Sequence, residues 1–283
     1  MNTKLIIVVI IPLIAGIILT INWEDSENKH TESKSEINEI AVAGSIFKVM
    51  VPYDKLNIDE SSRTITYQQA NFELREELSE LYQEIGNDYK QNTVVIYPTF
   101  TETAYSKDGF YDYYSGKCDE SCLSVLLKTN FEGEYSSSRA GYQTLKLLNY
   151  KTITDIDVDK NPSILNNYDK IILLHNEYVT KKMFDAITQH PNVVYLYPNA
   201  LYAEIKTDYE MNTITLIRGH GFPESNIDNG FNWKFDNTRP YEFDNACIEW
   251  EFNKIENGHM LNCYPEYIIF TDIELLKEIK NLE

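Results

Sequence analysis

Tyr168–Ile187, YDKIILLHNEYVTKKMFDAI, decides how this chain is read. Ile171–Leu174 is an unbroken apolar run, the pattern of a central parallel strand covered on both faces. Thr180 is placed to cap a following helix, with Phe184 and Ile187 as its apolar stripe. His175, Asn176, Glu177 and Tyr178 then fall at the carboxyl end of the strand, where open α/β sheets bind ligands. In an extended backbone His175 and Glu177 project to the same side, and an imidazole beside a carboxylate suits a metal ion or proton transfer. The bland alternative has His175 bonding a backbone carbonyl at the strand end.

Working outward, the chain alternates helix and strand at short spacing. Strands are expected at 94–97, 123–128, 152–156 and 193–197, with a helix from about Ser138 to Leu148 ended by Asn149. This is an α/β domain with an open, mostly parallel sheet flanked by helices, over residues 91–283. Residues 46–90 read as an extension packed on it, with strands at 47–51 and 63–67 and a helix over Phe72–Ile85. A hairpin turning near Glu210–Asn212, strands at 248–252 and 267–271, and a closing helix capped by Asp272 complete the pattern.

At the other end, Leu5–Ile21 carries no charge across 17 residues, follows Lys4 and precedes Glu24 and Asp25. It reads as a membrane anchor over 1–22 with the bulk of the chain outside the cytoplasm, a cleaved signal peptide being the alternative. Residues 23–45 read as an acidic tether. The balance of 25 basic against 44 acidic residues, a formal charge of −19, argues against nucleic acid, which demands clustered Lys and Arg. An exported domain with four cysteines favours disulfides, and the local pairs Cys118–Cys122 and Cys247–Cys263 close most easily.

Other candidate chemistry is scattered. Phe100–Cys122 holds four tyrosines and two phenylalanines in what reads as one long ordered loop, a candidate recognition surface. Asp155, Asp157 and Asp159 alternate in DIDVDKNP as in part of a calcium loop, or simply as a polar cap on the sheet. His220 lies between two glycines in RGHGFPE with Glu224 close by, a turn or a site. Nucleophile elbows, H-E-x-x-H, Walker loops and G-x-G-x-x-G are absent from the sequence.

LNYKTITDIDVDKNPSILNNYDKIILLHNEYVTKKMFDAI, from Leu148, and YLYPNALYAEI, from Tyr195, resemble the C-terminal amidotransferase-like domain of the N,N-dimethylformamidase large subunit family. The likeness rests on the H-x-E-Y of 175–178 and the asparagine Asn199, and covers about 60 residues. Tyr197-Pro198 stands where that family carries two glycines. The resemblance implies a class I glutamine amidotransferase-like fold and a hydrolase of small amides using one iron or similar metal ion held by tyrosines and a glutamate. Carried over, Tyr178 is a metal tyrosine and Tyr150 a second. The glutamate is open among Glu177, Glu224, Glu249 and Glu251. His175, Glu177 and His220 become proton-transfer candidates, and Asn199 orients substrate. The other class of function is a non-catalytic cell-surface domain binding a small molecule or a protein.

Overall fold

The computed structural model describes residues 37–59, 64–67, 69–88, 90–128, 138–235, 244 and 246–283. The expected anchor and most of the tether lie outside them. Among the described residues no helix is long and apolar enough to cross a membrane.

Within the span expected as a tether, Ile37–Ile40 instead forms β1 and pairs antiparallel with β2 (Phe47–Pro52). β3 (Leu56–Asp59) and β4 (Thr64–Tyr67) make a hairpin, and β5 (Asn71–Leu74) returns to β2. The helix expected from Phe72 therefore begins only at α1 (Ser79–Ile85). Phe72 serves the sheet instead, stacking on Phe47 at 6.0 Å and meeting Phe270 at 5.0 Å. That aromatic burial outweighs the helical spacing of the leucines.

β6 (Thr93–Tyr97) opens the main sheet and runs into α2 (Thr99–Ala104) and α3 (Phe110–Tyr114), so the expected aromatic loop is largely helical. After β7 (Ser124–Leu126) come α4 (Arg139–Leu147), β8 (Lys151–Thr154) and α5 (Asp155–Lys160). Asp155, Asp157 and Asp159 thus belong to a helix rather than a calcium loop. Thr154 and Asp157 form a reciprocal capping box that satisfies its first N–H groups. Asp155 and Asp159, one turn apart, both point inward and are buried. Asp159 accepts from Thr180 Oγ1 at 2.5 Å, Thr207 Oγ1 at 3.0 Å and Tyr209 Oη at 2.6 Å, tying separate segments together.

β9 (Lys170–Leu173), α6 (Lys181–Gln189) and β11 (Val193–Tyr195) follow the expected pattern, with Thr180 accepting from Met183 N at the start of α6, while β10 (Tyr178–Thr180) is a further strand beyond those expected. β12 (Ala203–Asp208) and β13 (Thr213–Arg218) are the expected hairpin. β14 (Phe252–Ile255) and β15 (Gly258–Leu261) sit a few residues beyond the strand expected at 248–252. The strand expected at 267–271 is a turn leading to α7 (Ile273–Asn281), which Asp272 caps through Leu275 N at 2.9 Å.

The described residues form a six-stranded sheet in the order β14-β15-β11-β9-β6-β8, parallel except for β14. Taken in chain order, its five parallel strands run second, first, third, fourth, fifth, a doubly wound sheet whose direction of winding reverses between β6 and β9. Strand alternation sends Val94, Ile96, Ile171, Leu173, Val193 and Tyr195 to one face. There they meet α2, α3, α5, α6 and the four-stranded sheet β10-β12-β13-β7. Val95, Ile172, Leu174, Val194 and Leu196 face the other way, towards α1, α4, α7 and the N-terminal strands. Both expected disulfides, Cys118–Cys122 and Cys247–Cys263, are formed, as in proteins of oxidising compartments.

A buried lysine fastens the end of the chain. Lys170 Nζ donates to the carbonyls of Ile279, Lys280 and Leu282 at 3.1, 2.8 and 2.8 Å, satisfying the C-terminal end of α7 from inside β9. Lys170→Met should leave those carbonyls without a donor and cost about 3 kcal/mol in denaturant unfolding, with the loss concentrated in α7 by hydrogen exchange.

Candidate functional site

The carboxyl ends of β6 and β9 meet at the reversal point of the sheet, and the site is built there. After Leu174 the chain makes a tight turn, with Asn176 N donating to Leu174 O at 2.7 Å, and the backbone leaves the sheet. Ser138 Oγ accepts from His175 N at 2.7 Å and Thr101 Oγ1 from Glu177 N at 3.0 Å. Leu201 N donates to Asn176 O, while Tyr202 N and Ala203 N both donate to Glu177 O. Asn199 and Leu201 adopt left-handed φ of 57° and 56° to bring those donors round. Asn199, the expected substrate-orienting residue, is itself buried in this loop.

Glu177 is the centre. Its side chain is fully buried. Oε2 accepts from Tyr105 Oη at 2.8 Å and lies 3.5 Å from His175 Nε2. Oε1 is bonded to His220 Nε2 and receives a longer contact from Tyr111 Oη at 3.4 Å. Tyr111 Oη also donates to Tyr105 Oη at 2.6 Å. Tyr178 Oη donates to Tyr114 Oη at 3.5 Å. The ring of His220 is enclosed by Tyr202, Tyr114, Tyr178 and Tyr111, with centroids 4.5, 5.1, 5.7 and 6.2 Å away. Its side chain is 19% exposed and, like the partly buried Tyr105 and Tyr111, joins Glu177 to the surface.

The electrostatics divide the groups cleanly. Burial alone would raise the Glu177 carboxyl, but the two imidazoles and the Tyr105 hydroxyl more than offset it and hold the group below the usual carboxylate range. Burial, with the Glu177 charge adding to it, pushes Tyr105, Tyr111, Tyr114 and Tyr178 upward. At neutral pH the cluster is an ionised carboxylate surrounded by neutral phenols. Separating titratable groups in this way is how sites assign acid and base roles.

Several expected site residues converge here: His175, Glu177, Tyr178 and His220. Gly219 and Gly221, with φ of 127° and 75°, flank His220 at 53°, and this left-handed run turns the imidazole inward. Two expected metal ligands do not converge. Glu224 is exposed on the turn just beyond His220, and the carboxylate in the cluster is that of Glu177. Tyr150 is packed into the core on the opposite face of the sheet, its hydroxyl buried without a partner. It also precedes β8, at the opposite end of the parallel strands from Glu177.

Tyr105, Tyr111, Tyr114, Tyr202, Thr101 and Ser138 escape a reading of the sequence residue by residue. Their signal was the aromatic density of 100–122, whose two helices turn Tyr105 and Tyr111 towards Glu177. Cys118–Cys122 closes that segment just beyond Tyr114. No family model matches the sequence, and no curated protein matches it.

A second buried carboxylate stands close by. Glu266 accepts from Ala140 N at 2.6 Å and from Tyr197 Oη at 2.6 Å. Burial pushes it up to about 7 against the pull of those bonds. An acid raised in the folded state favours folding fully below its unfolded value near 4.5 and loses that contribution as pH climbs towards 7. Between pH 5 and 8 the wild type should therefore lose on the order of 2–3 kcal/mol of unfolding free energy relative to Glu266→Gln. Parallel slopes for the two proteins in urea titrations across that range would contradict this.

Proposed function

We propose that the chain is a metal-assisted hydrolase of small amides, working at Glu177 and held at the membrane by residues 1–22 with its domain outside the cytoplasm. The observation that carries this reading is the convergence of one ionised, buried carboxylate, several phenols and two imidazoles at the reversal point of the sheet. The resemblance of residues 148–205 to the N,N-dimethylformamidase large subunit supports amides as the substrate class.

Among the described residues, no group of three or more His, Cys, Asp and Glu side chains is arranged to hold a metal ion, so a metal here depends on the tyrosines. Glu177, Tyr105, Tyr111 and Tyr178 would give hard oxygen donors for iron or a similar ion, with imidazole beside them, the otherwise neutral phenols releasing their protons as the ion binds. Bound there, the ion would polarise a carbonyl and acidify water. The chain's own groups account for the rest. His175 and His220 stand on different oxygens of Glu177 and would carry the proton from the attacking water to the departing nitrogen. Water plus amide then gives carboxylic acid plus amine. The faces of Tyr114, Tyr178 and Tyr202 around His220 suit small apolar substituents on that nitrogen. A purely binding role draws less support, since Tyr105 and Tyr111 spend their hydroxyls inside the cluster.

Metal analysis of the purified chain with both disulfides formed, run beside Glu177→Gln and Tyr105→Phe, tests this directly. Near-stoichiometric metal and hydrolysis of short N-substituted amides are expected in the wild type. Glu177→Gln should lose the metal and at least about a thousandfold in kcat/KM. A folded wild type that takes up no metal and cleaves no member of an amide panel would overturn the assignment.

A further inference from the structure

Glu266 lies outside the cluster around Glu177, yet it holds two walls of His175 at once. Its Oε2 accepts from Tyr197 Oη at 2.6 Å, and the Tyr197 ring stacks on the His175 imidazole, interplanar 22°, with centroids 6.3 Å apart. Its Oε1 accepts from Ala140 N at 2.6 Å, in the first turn of α4. One residue before that helix, Ser138 takes the backbone N–H of His175 at 2.7 Å. Tyr264, two residues before Glu266, meets Tyr197 at 5.2 Å and His175 at 5.8 Å, edge to face in both cases. The close approach of the Tyr197 hydroxyl to α4 needs Gly141, where any Cβ would collide with that hydroxyl. A carboxylate accepting N–H groups at a helix start is ordinary capping. What capping does not explain is why the same carboxylate also takes the hydroxyl of the ring lying on His175.

We propose that Glu266 is a positioning residue for His175, fixing the imidazole through Tyr197 and its backbone through the start of α4. It touches none of the groups assigned to metal or substrate. Its effect reaches them through the orientation of His175 against Glu177, where the Nε2–Oε2 separation is 3.5 Å. An imidazole held by two aromatic rings and a fixed backbone loses little freedom when a proton has to be moved, and small misplacements of such a group cost rate steeply. The kinetic consequence rests on the hydrolase reading. The structural one does not.

The test uses the full-length chain, labelled with carbon-13 at histidine, and its variants Tyr197→Phe and Glu266→Gln at pH 8. Histidine ring resonances are recorded, with His175 assigned by its loss in His175→Gln. The ring resonance of His175 should move in both variants, because Tyr197 is released, while those of His190 and His259 stay in place. Where an amide is hydrolysed, kcat should fall by about 10- to 100-fold with KM within a few-fold. Tyr197→Phe keeps the ring and loses only the hydroxyl, so it decides the matter if Glu266→Gln does not fold. An unmoved His175 resonance in folded Tyr197→Phe would overturn the proposal whatever the activity. A wild type without amidase activity but with the expected shifts would overturn the hydrolase reading alone.

Discussion

A carboxylate without water around it has to be neutralised and hydrogen-bonded on every side, and Glu177 imposes that requirement on the chain around it. Its bonding partners lie far apart in sequence. Tyr105 and Tyr111 come from the segment after β6, His220 from the turn after β13, and His175 from two residues upstream. A buried ion pair is weak grounds for stability, because desolvation offsets the attraction, whereas removing one partner leaves a charge stranded. The balance around Glu177 is therefore better understood as a constraint the fold satisfies for the sake of the site than as a source of stability. The phenols fit that view: they are shifted upward, stay neutral and solvate the charge without competing for it.

The sheet makes such a convergence possible. Where the winding reverses, the helices that lead back into the sheet, α4 before β8 and α6 before β11, pack on opposite faces, and ligand sites of such sheets form at the carboxyl ends there. In this chain the site is lined from one side by α2 and α3 and from the other by the loop through Asn199 and Leu201. The second small sheet brings in the turn at His220, and Asp159 braces its β12 strand against α5 and the start of α6. Bonds to its own backbone set the Glu177 position: the Thr101 hydroxyl accepts from its N–H, and the N–H groups of Tyr202 and Ala203 donate to its carbonyl.

How far this could be read from the sequence depends on the range of the interactions involved. Ile171–Leu174, the cap at Thr180 and the polar cluster at 175–178 are local patterns, and all three appear where their spacing puts them. The local disulfides are likewise as spacing suggests. Asp155–Asp159 was misleading because alternation resembles a strand end, although Thr154 and Asp157 already spelled a capping box. Phe72 shows the opposite failure, a helical leucine spacing overruled by aromatic packing with Phe47 and Phe270. Tyr150 takes the other face of the sheet, which depends on long-range pairing that residue spacing does not contain, and Glu224 is left in solvent by the turn after His220. Tyr105 and Tyr111 stand 72 and 66 positions from the carboxylate they serve.

The central claim is that Glu177 is ionised inside the protein across the neutral range because its neighbours compensate it. Carbon-13 labelling of glutamate side chains, with the Glu177 carboxyl resonance assigned by its loss in Glu177→Gln, measures that state directly. A resonance that keeps its carboxylate position from pH 8 down to pH 5 is the predicted result. One that moves to the protonated position within that window would contradict the account, since burial would then have won over the imidazoles and the tyrosine hydroxyls.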